Sequence, residues 1–142
     1  MAENTSYDEL WESFLQVCGY DYSELPQTDE RRYILIKNTV RLYNQKAKKY
    51  EGRIKGNIKG DDDMEELNVA LNDTEILIFS YLMSHLFATN KYTEFTSVWG
   101  VFAKETGLKD YKAQCSAREY TIEKFEKEAN RLIEDEIDSF SL

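Results

Sequence analysis

The chain has 142 residues, of which 42% are hydrophobic and 32% charged, with six glycines and a single proline. This length suits one domain, and so little proline and glycine argues against a sandwich or barrel of short strands, which needs frequent turns. The net charge of -9 is unevenly spread, because residues 31–59 hold ten bases and one acid while residues 1–30 hold eight acids and no base. Such blocks either neutralise one another within the fold or face a partner.

The sequence gives no indication of export, membrane insertion or a disulfide framework. The first thirty residues contain no Lys or Arg and no long apolar run, which is unlike a secretory signal. The longest apolar stretch, residues 76–88, falls short of the roughly 20 residues that a membrane span needs. Cys18 and Cys115 lie far apart, so we expect two buried thiols in a reducing cytosol rather than a disulfide or a zinc site.

The first predicted helix covers residues 7–18. Ser6 followed by Glu9 is typical of a capping box, and Gly19 offers a left-handed stop. Thr28 is expected to cap a second helix that ends near Glu51. That helix carries an apolar seam at spacings of three and four, formed by Ile36, Val40, Tyr43, Ala47, Tyr50 and Ile54.

The segment GRIKGNIKGDDDMEELN, which begins at residue 52, interrupts the helical pattern. Three glycines in nine residues make a helix improbable, and we predict a protruding, mobile, cationic loop over 52–66. Its acids do not fit a calcium loop, because Glu66 stands where the glycine is needed; instead we expect them to lead into a short helical turn at 64–71. The predicted partner-contacting residues of this loop and of the basic block at residues 31–59 are Lys46, Lys49, Arg53, Ile54, Lys55, Ile58, Lys59, Asp61, Asp62 and Asp63.

Two further helices complete the prediction. Asn72 and Glu75 form a second capping box, and the apolar residues that follow cover almost the whole circumference, which is typical of a central helix. The pattern over 73–102 fits either one bent helix or two. The last helix is predicted from Tyr111 to Asp138, and the tail 138–142 is either frayed or a docking segment that uses Ile137, Phe140 and Leu142.

The predicted fold is therefore all-α, a single-domain bundle of about four to five helices with a long glycine-containing central loop. Motifs of catalysis are missing from the sequence, which has no phosphate loop, dinucleotide fingerprint or hydrolase elbow. The only histidine, His85, lies in the most apolar helix and is expected to be a satisfied core or edge residue. We expect no enzyme, no metal and no cofactor.

The phrases YDELWESFLQVCGYD, LND and FAKETGLKDY, together with the closing helix, carry a resemblance to a known class of proteins. The chain resembles neck proteins of long-tailed bacteriophages of Gram-positive hosts, over about two thirds of its length. That resemblance implies a virion protein that assembles in the host cytoplasm as a ring, commonly of twelve subunits. Such a ring would join the portal of the DNA-filled head to the next neck or tail protein and let DNA pass.

Two other functions stay open at this point. Acidic rows in residues 1–30 and 119–138 could present a DNA mimic, as in a small phage-encoded inhibitor or regulator of a host protein, although the basic block would repel a positively charged target. Direct DNA binding through Arg53, Lys55 and Lys59 is opposed by the overall negative charge.

Overall fold

The computed structural model describes residues 3–101, 103 and 107–140, without the side chains of residues 108 and 136–140. The fold is mostly helical, as predicted, with four α-helices and one small sheet over these residues. In chain order the elements are α1 (Tyr7–Val17), a 3-10 turn (Tyr22–Glu24), α2 (Asp29–Lys49), β1 (Gly60–Asp61), β2 (Glu66–Leu67), α3 (Asp73–Trp99) and α4 (Leu108–Phe140). The predicted bundle of about four helices is confirmed.

The helices begin at the predicted caps. The Ser6 side chain accepts from the Glu9 amide at 3.1 Å, and Thr28 accepts from the Arg31 amide at 3.3 Å. At α3 the capping box is reciprocal, with Asn72 accepting from the Glu75 amide at 2.8 Å and Glu75 accepting from the Asn72 amide at 3.0 Å. Each pair satisfies amides that the first helical turn leaves without partners.

Helix α3 is the central element, because α1, α2 and α4 all pack against it. Its apolar circumference buries Ile78, Phe79, Leu82 and Met83 completely. The segment from residue 73 is one helix as far as Trp99, which settles the choice between one helix and two over the described residues. No helix in the described part of the chain combines the length and apolar character that crossing a bilayer requires.

The predicted seam of α2 faces this core. Ile36, Val40, Tyr43 and Ala47 are buried. The helix ends at Lys49, two residues earlier than expected, since Glu51 and Gly52 both adopt positive φ. The chain therefore turns sharply at the end of α2 and runs back beside the helix.

The small sheet replaces the short helical turn that was predicted at 64–71, and that prediction is wrong. Gly60 pairs with Leu67 and Asp61 with Glu66 in antiparallel register. The N-terminal segment adds to the second strand, since the Leu67 amide donates to the Thr5 carbonyl at 2.8 Å. These pairings satisfy the backbone between strand partners and bury Leu67, which a single surface turn of helix would not do.

Candidate functional site

Residues 52–71 form a segment that we term the strap, and its first part, residues 52–62, runs antiparallel along α2. Ile58 exchanges two hydrogen bonds with the Asn44 side chain, at 2.9 and 3.0 Å. Gly56 lies so close to Ala47 that a Cβ at this position would be 3.3 Å from the alanine Cβ. The glycine-rich segment is therefore folded onto its own subunit.

The prediction of a protruding loop over 52–66 is wrong, because Ile54 and Ile58 are only 4% and 1% exposed. The expected alternation of an extended chain is present, since the cations at 53, 55 and 59 face outward while both isoleucines face inward. The physical reason is that two large apolar side chains on one face of an extended segment gain more by covering α2 than by remaining in water.

Gly60 explains how the strap reaches α1 as well. A Cβ on Gly60 would lie 2.4 Å from the Tyr7 hydroxyl oxygen, a distance that no relaxed structure tolerates. The Tyr7 ring is buried, and its hydroxyl donates to Asp62 at 2.8 Å. Glycine at this position permits a close approach between the strap and α1.

Of the predicted acids, Asp61 ends β1, and Asp62 and Asp63 lie in the turn between the two strands. Asp62 also pairs with Lys37 of α2 at 2.5 Å. The hydrogen bond from Lys37 holds the pKa of Asp62 below its usual value, and the hydrogen bond from Tyr7 adds to this. Asp61 accepts from the amides of Asp63 and Met64 at 2.9 and 3.2 Å, which closes the turn.

Two tyrosines fasten this turn to the helices. The Tyr33 hydroxyl of α2 donates to Glu65, and this bond is the largest cause that raises the pKa of Tyr33 to about 12. Burial, followed by the hydrogen bond to Asp62, raises the pKa of Tyr7. The two rings pack with centroids 5.4 Å apart. The acidic end of the strap is thus part of the body of the subunit.

Lys46 was predicted to contact a partner, but the structure buries it. Its ammonium lies 3.6 Å from Glu126 of α4, and His85 Nε2 of α3 lies 3.5 Å from the same carboxylate. His85 Nδ1 is 2.8 Å from the Ile122 carbonyl, which can only accept, so Nδ1 carries a proton. The cluster joins three helices, and it makes Lys46 a structural residue and His85 a partnered one.

Other predicted cations are engaged in part. The head groups of Lys49 and Arg53 lie over the Tyr50 ring, at 5.6 and 5.9 Å. The Lys55 amide donates to buried Glu75 at 2.8 Å, and its ammonium donates to the Ala70 carbonyl at 2.7 Å. These contacts hold the beginning of the strap against α2 and α3.

Three further exposed cations form a separate surface, which we term the basic face: Arg41, Lys48 and Lys59. Arg41 and Lys48 are seven residues apart and so lie on the same side of α2. Asn44, between them on that side, bonds to Ile58, which places Lys59 beside them. Of this face, only Lys59 was among the predicted partner-contacting residues.

The predicted docking tail lies largely outside what can be described. Ile137 and Phe140 belong to α4, which continues to Phe140, but their side chains are not among those described. Leu142 falls outside the described residues altogether. Its proposed docking role therefore stays a prediction.

A second exposed region is the helical hairpin, which we define as residues 89–101, from the end of α3 into the turn that follows it, together with residues 107–121, which lead into and begin α4. The buried residues of α3 end at Ala88, so the eleven residues that follow extend about 16 Å further. Phe95 stacks on Tyr111 at 5.7 Å, and the Arg118 guanidinium lies 4.1 Å from the centre of the Phe95 ring. The base of the hairpin borders the body, since Glu94 lines a pocket together with residues of α2 and Arg118 lines another beside Tyr20.

The tip of this hairpin exposes large apolar side chains. Val98, Trp99 and Val101 are 55%, 54% and 74% exposed. Large apolar side chains exposed together within a few residues are typical of an interaction site. The sequence pattern had placed Val98 and Trp99 on a helical stripe, which does not reveal whether a stripe is covered. Helix length was the available indication that part of the stripe is uncovered, because the last two helices are much longer than the first.

The described residues contain no group of three or more His, Cys, Asp or Glu side chains arranged to hold a metal ion. Carboxylates of α4 that were considered as a DNA-like row are interleaved with bases. Arg131 pairs with both Glu128 and Asp135, and this pairing holds the pKa of Glu128 below its usual value. Such pairs are ordinary for a solvated helix surface.

Comparisons with known proteins give a consistent origin for the chain. Residues 1–138 match the family model described as "YomZ prophage protein". A relative from Bacillus subtilis strain 168, described as "SPbeta prophage-derived uncharacterized protein YomZ", is 30% identical over 129 residues, which cover 91% of this chain and 93% of the relative. No solved structure matches. The phage origin that the resemblance implied is therefore supported, while these descriptions say nothing of a neck.

Proposed function

We propose, starting from the premise that this chain belongs to the YomZ prophage protein family, that it is a structural protein of the phage neck. In this proposal, copies of the chain form a ring between the portal of the DNA-filled head and the next neck or tail protein. The ring lets the genome pass, and the chain acts by binding and positioning rather than by catalysis. The resemblance to neck proteins and the phage origin both support this role.

The observation that carries the proposal is the exposed apolar tip of the helical hairpin. A subunit in a ring between two other rings needs a rigid element that reaches beyond its own core. The hairpin supplies one, because its helices are stiffened by the Phe95–Tyr111 stack and by a 2.6 Å hydrogen bond from Tyr92 to Glu119. The partner contact that the sequence assigned to the glycine loop passes to this hairpin.

The exposed valines fit a contact with another protein better than a contact with DNA. Phosphate backbones are bound by cations and polar groups, whereas Val98 and Val101 offer only apolar surface. Aromatic and apolar residues are typical of the buried centre of a protein interface. The alternative of an acidic DNA mimic gains less support, since bases interrupt the carboxylates of α4.

The test is the location of the protein in particles and the effect of the tip on assembly. In phage released from an induced lysogen, an epitope-tagged copy should be seen by immunogold microscopy at the junction of head and tail. The double variant Val98→Ser, Val101→Ser should leave filled heads and free tails unjoined. These two side chains are largely exposed, so the isolated variant should melt like the parent.

A matched control is the double variant Tyr22→Ser, Ile34→Ser. It removes two large side chains that are 64% and 59% exposed but lie on the body, and it should give normal particles. Absence of the tagged protein from purified particles would overturn the neck role. If the tip variant still joins heads to tails normally, the hairpin has no part in the neck role.

A further inference from the structure

The basic face has a counterpart of opposite sign on the same subunit. Carboxylates from three segments line one small pocket beside Tyr33, namely Asp8 of α1, Asp29 of α2 and Glu65 of the strap, with Arg32 as the one cation among its lining residues. Asp63 is exposed in the adjoining turn. We term these four side chains the acidic rim.

The two surfaces lie toward opposite ends of α2. Asp29 begins the helix and Lys48 lies in its last turn, so nineteen residues, or about 28 Å of helix, separate them. The strap repeats this polarity, since Lys59 lies before the turn that carries Asp63. The basic face and the acidic rim are therefore separated along α2, while Arg31 and Lys37 are also exposed on the N-terminal half of that helix.

We propose that the basic face of one copy of this chain receives the acidic rim of a second copy. The inference rests on the proposed function, because it names the pair of surfaces that would build the ring. A contact between two different surfaces repeats head to tail, and it closes into a ring when the rotation per subunit allows. Opposite charges fix the register of such a contact and disfavour like ends meeting.

The charges of the basic face are available for this contact. The structure gives the side chains of Arg41, Lys48 and Lys59 no ion pair within the described part of the subunit, whereas Lys37 and Lys46 pair internally. On the rim, Asp29 makes only a 4.0 Å pair with Arg32 at its own surface. A second copy of the chain supplies partners to both groups and needs no other protein.

The experiment is a charge swap on the full chain, followed by sedimentation velocity at high protein concentration. Lys48→Glu with Lys59→Glu, or Asp8→Lys with Asp63→Lys, should each weaken self-association about tenfold or more. A chain with all four changes should associate again, because the two surfaces are once more opposite. An equimolar mixture of the two double variants should also associate, as copies of the two kinds alternate.

A matched control for the basic-face reversal changes the net charge by the same amount elsewhere. Lys124 and Lys127 are exposed on α4, outside the helical hairpin, and Lys124→Glu with Lys127→Glu should associate as the parent does. Thermal melting of each variant identifies any that fails to fold, and the four-change chain repeats every substitution, so its recovery separates lost charge pairing from lost folding.

Three results would overturn the inference: a parent chain that stays monomeric, reversals that act no more than the control, or no recovery in the four-change chain. The neck role is judged separately, by immunogold labelling of particles. Association that follows the charge swap in a protein absent from particles would leave the pairing intact and end the neck proposal.

Discussion

The strap and the helical hairpin exchange the roles that their sequences suggest. The strap has three glycines in nine residues and a dense set of charges, yet it buries Ile54 and Ile58 against the body. The hairpin consists of regular helix, yet it exposes Val98 and Val101 beyond the core. Glycine content alone does not mark the part of a chain that reaches outward.

The difference lies in what each glycine does. Gly52 follows α2 with a φ of 75°, a conformation that other residues adopt at a cost. Gly56 and Gly60 instead let the backbone come within contact of Ala47 and Tyr7. A glycine that permits close approach fastens a segment, whereas the same residue in a linker frees it. Sequence spacing does not separate the two cases.

The largest expected effect comes from a direct comparison of one side chain in each region. Ile58→Ala should lower the free energy of unfolding by about 2–5 kcal/mol, since it leaves a cavity under the strap. Val98→Ala on the hairpin should change it by less than about 0.5 kcal/mol, because that side chain is half exposed. Urea unfolding followed by circular dichroism measures both. Equal effects would mean that the strap is not part of the core.

The helical frame was predictable because its signals are local. Ser6, Thr28 and Asn72 cap helices where their sequence positions indicated, and the apolar circumference after residue 75 identified the central helix. Caps and periodic faces depend on residues within a few positions of one another. For this reason the helices, and the place of α3 at the centre, followed from the sequence alone.

The strap and the hairpin tip depend on contacts between distant residues. Ile58 meets Asn44, Glu75 meets Lys55, and Tyr7 meets Asp62 across 55 positions. No local pattern specifies such pairings. In the same way, the apolar stripe on α3 did not reveal that the buried residues of this helix end at Ala88, and that Val98 is exposed.

An intermediate effect is expected from Gly60→Ala. The added methyl would lie 2.4 Å from the Tyr7 hydroxyl, so the strap and α1 must separate, at a cost of about 1–3 kcal/mol in the free energy of unfolding. Gly19→Ala is the matched control, because Gly19 has a φ of 72° but open space around its Cβ position. It should cost only about 1 kcal/mol of backbone strain. If Gly60→Ala lowers the free energy of unfolding by less than Gly19→Ala does, the close contact between the strap and α1 is contradicted.

The smallest effect concerns the charge that fastens the strap, and pH isolates it. The pKa of Asp62 is lowered in the folded protein, chiefly by the hydrogen bond from Lys37, so its stabilisation is present above the unfolded value of 3.8 and is lost as pH falls through the lower folded value. The side chains of Asp62 and Lys37 are 32% and 51% exposed, which limits the contribution of this ion pair to the free energy of unfolding to less than about 1 kcal/mol.

Asp62→Asn should therefore unfold at a lower urea concentration than the parent at neutral pH. This gap between the two unfolding midpoints should close in strong acid. Asp63→Asn, one residue along the turn and without a side-chain ion pair in the described structure, should show no gap at either pH. A gap for Asp62→Asn that persists in acid would assign the loss to the Tyr7 hydrogen bond rather than to the charge.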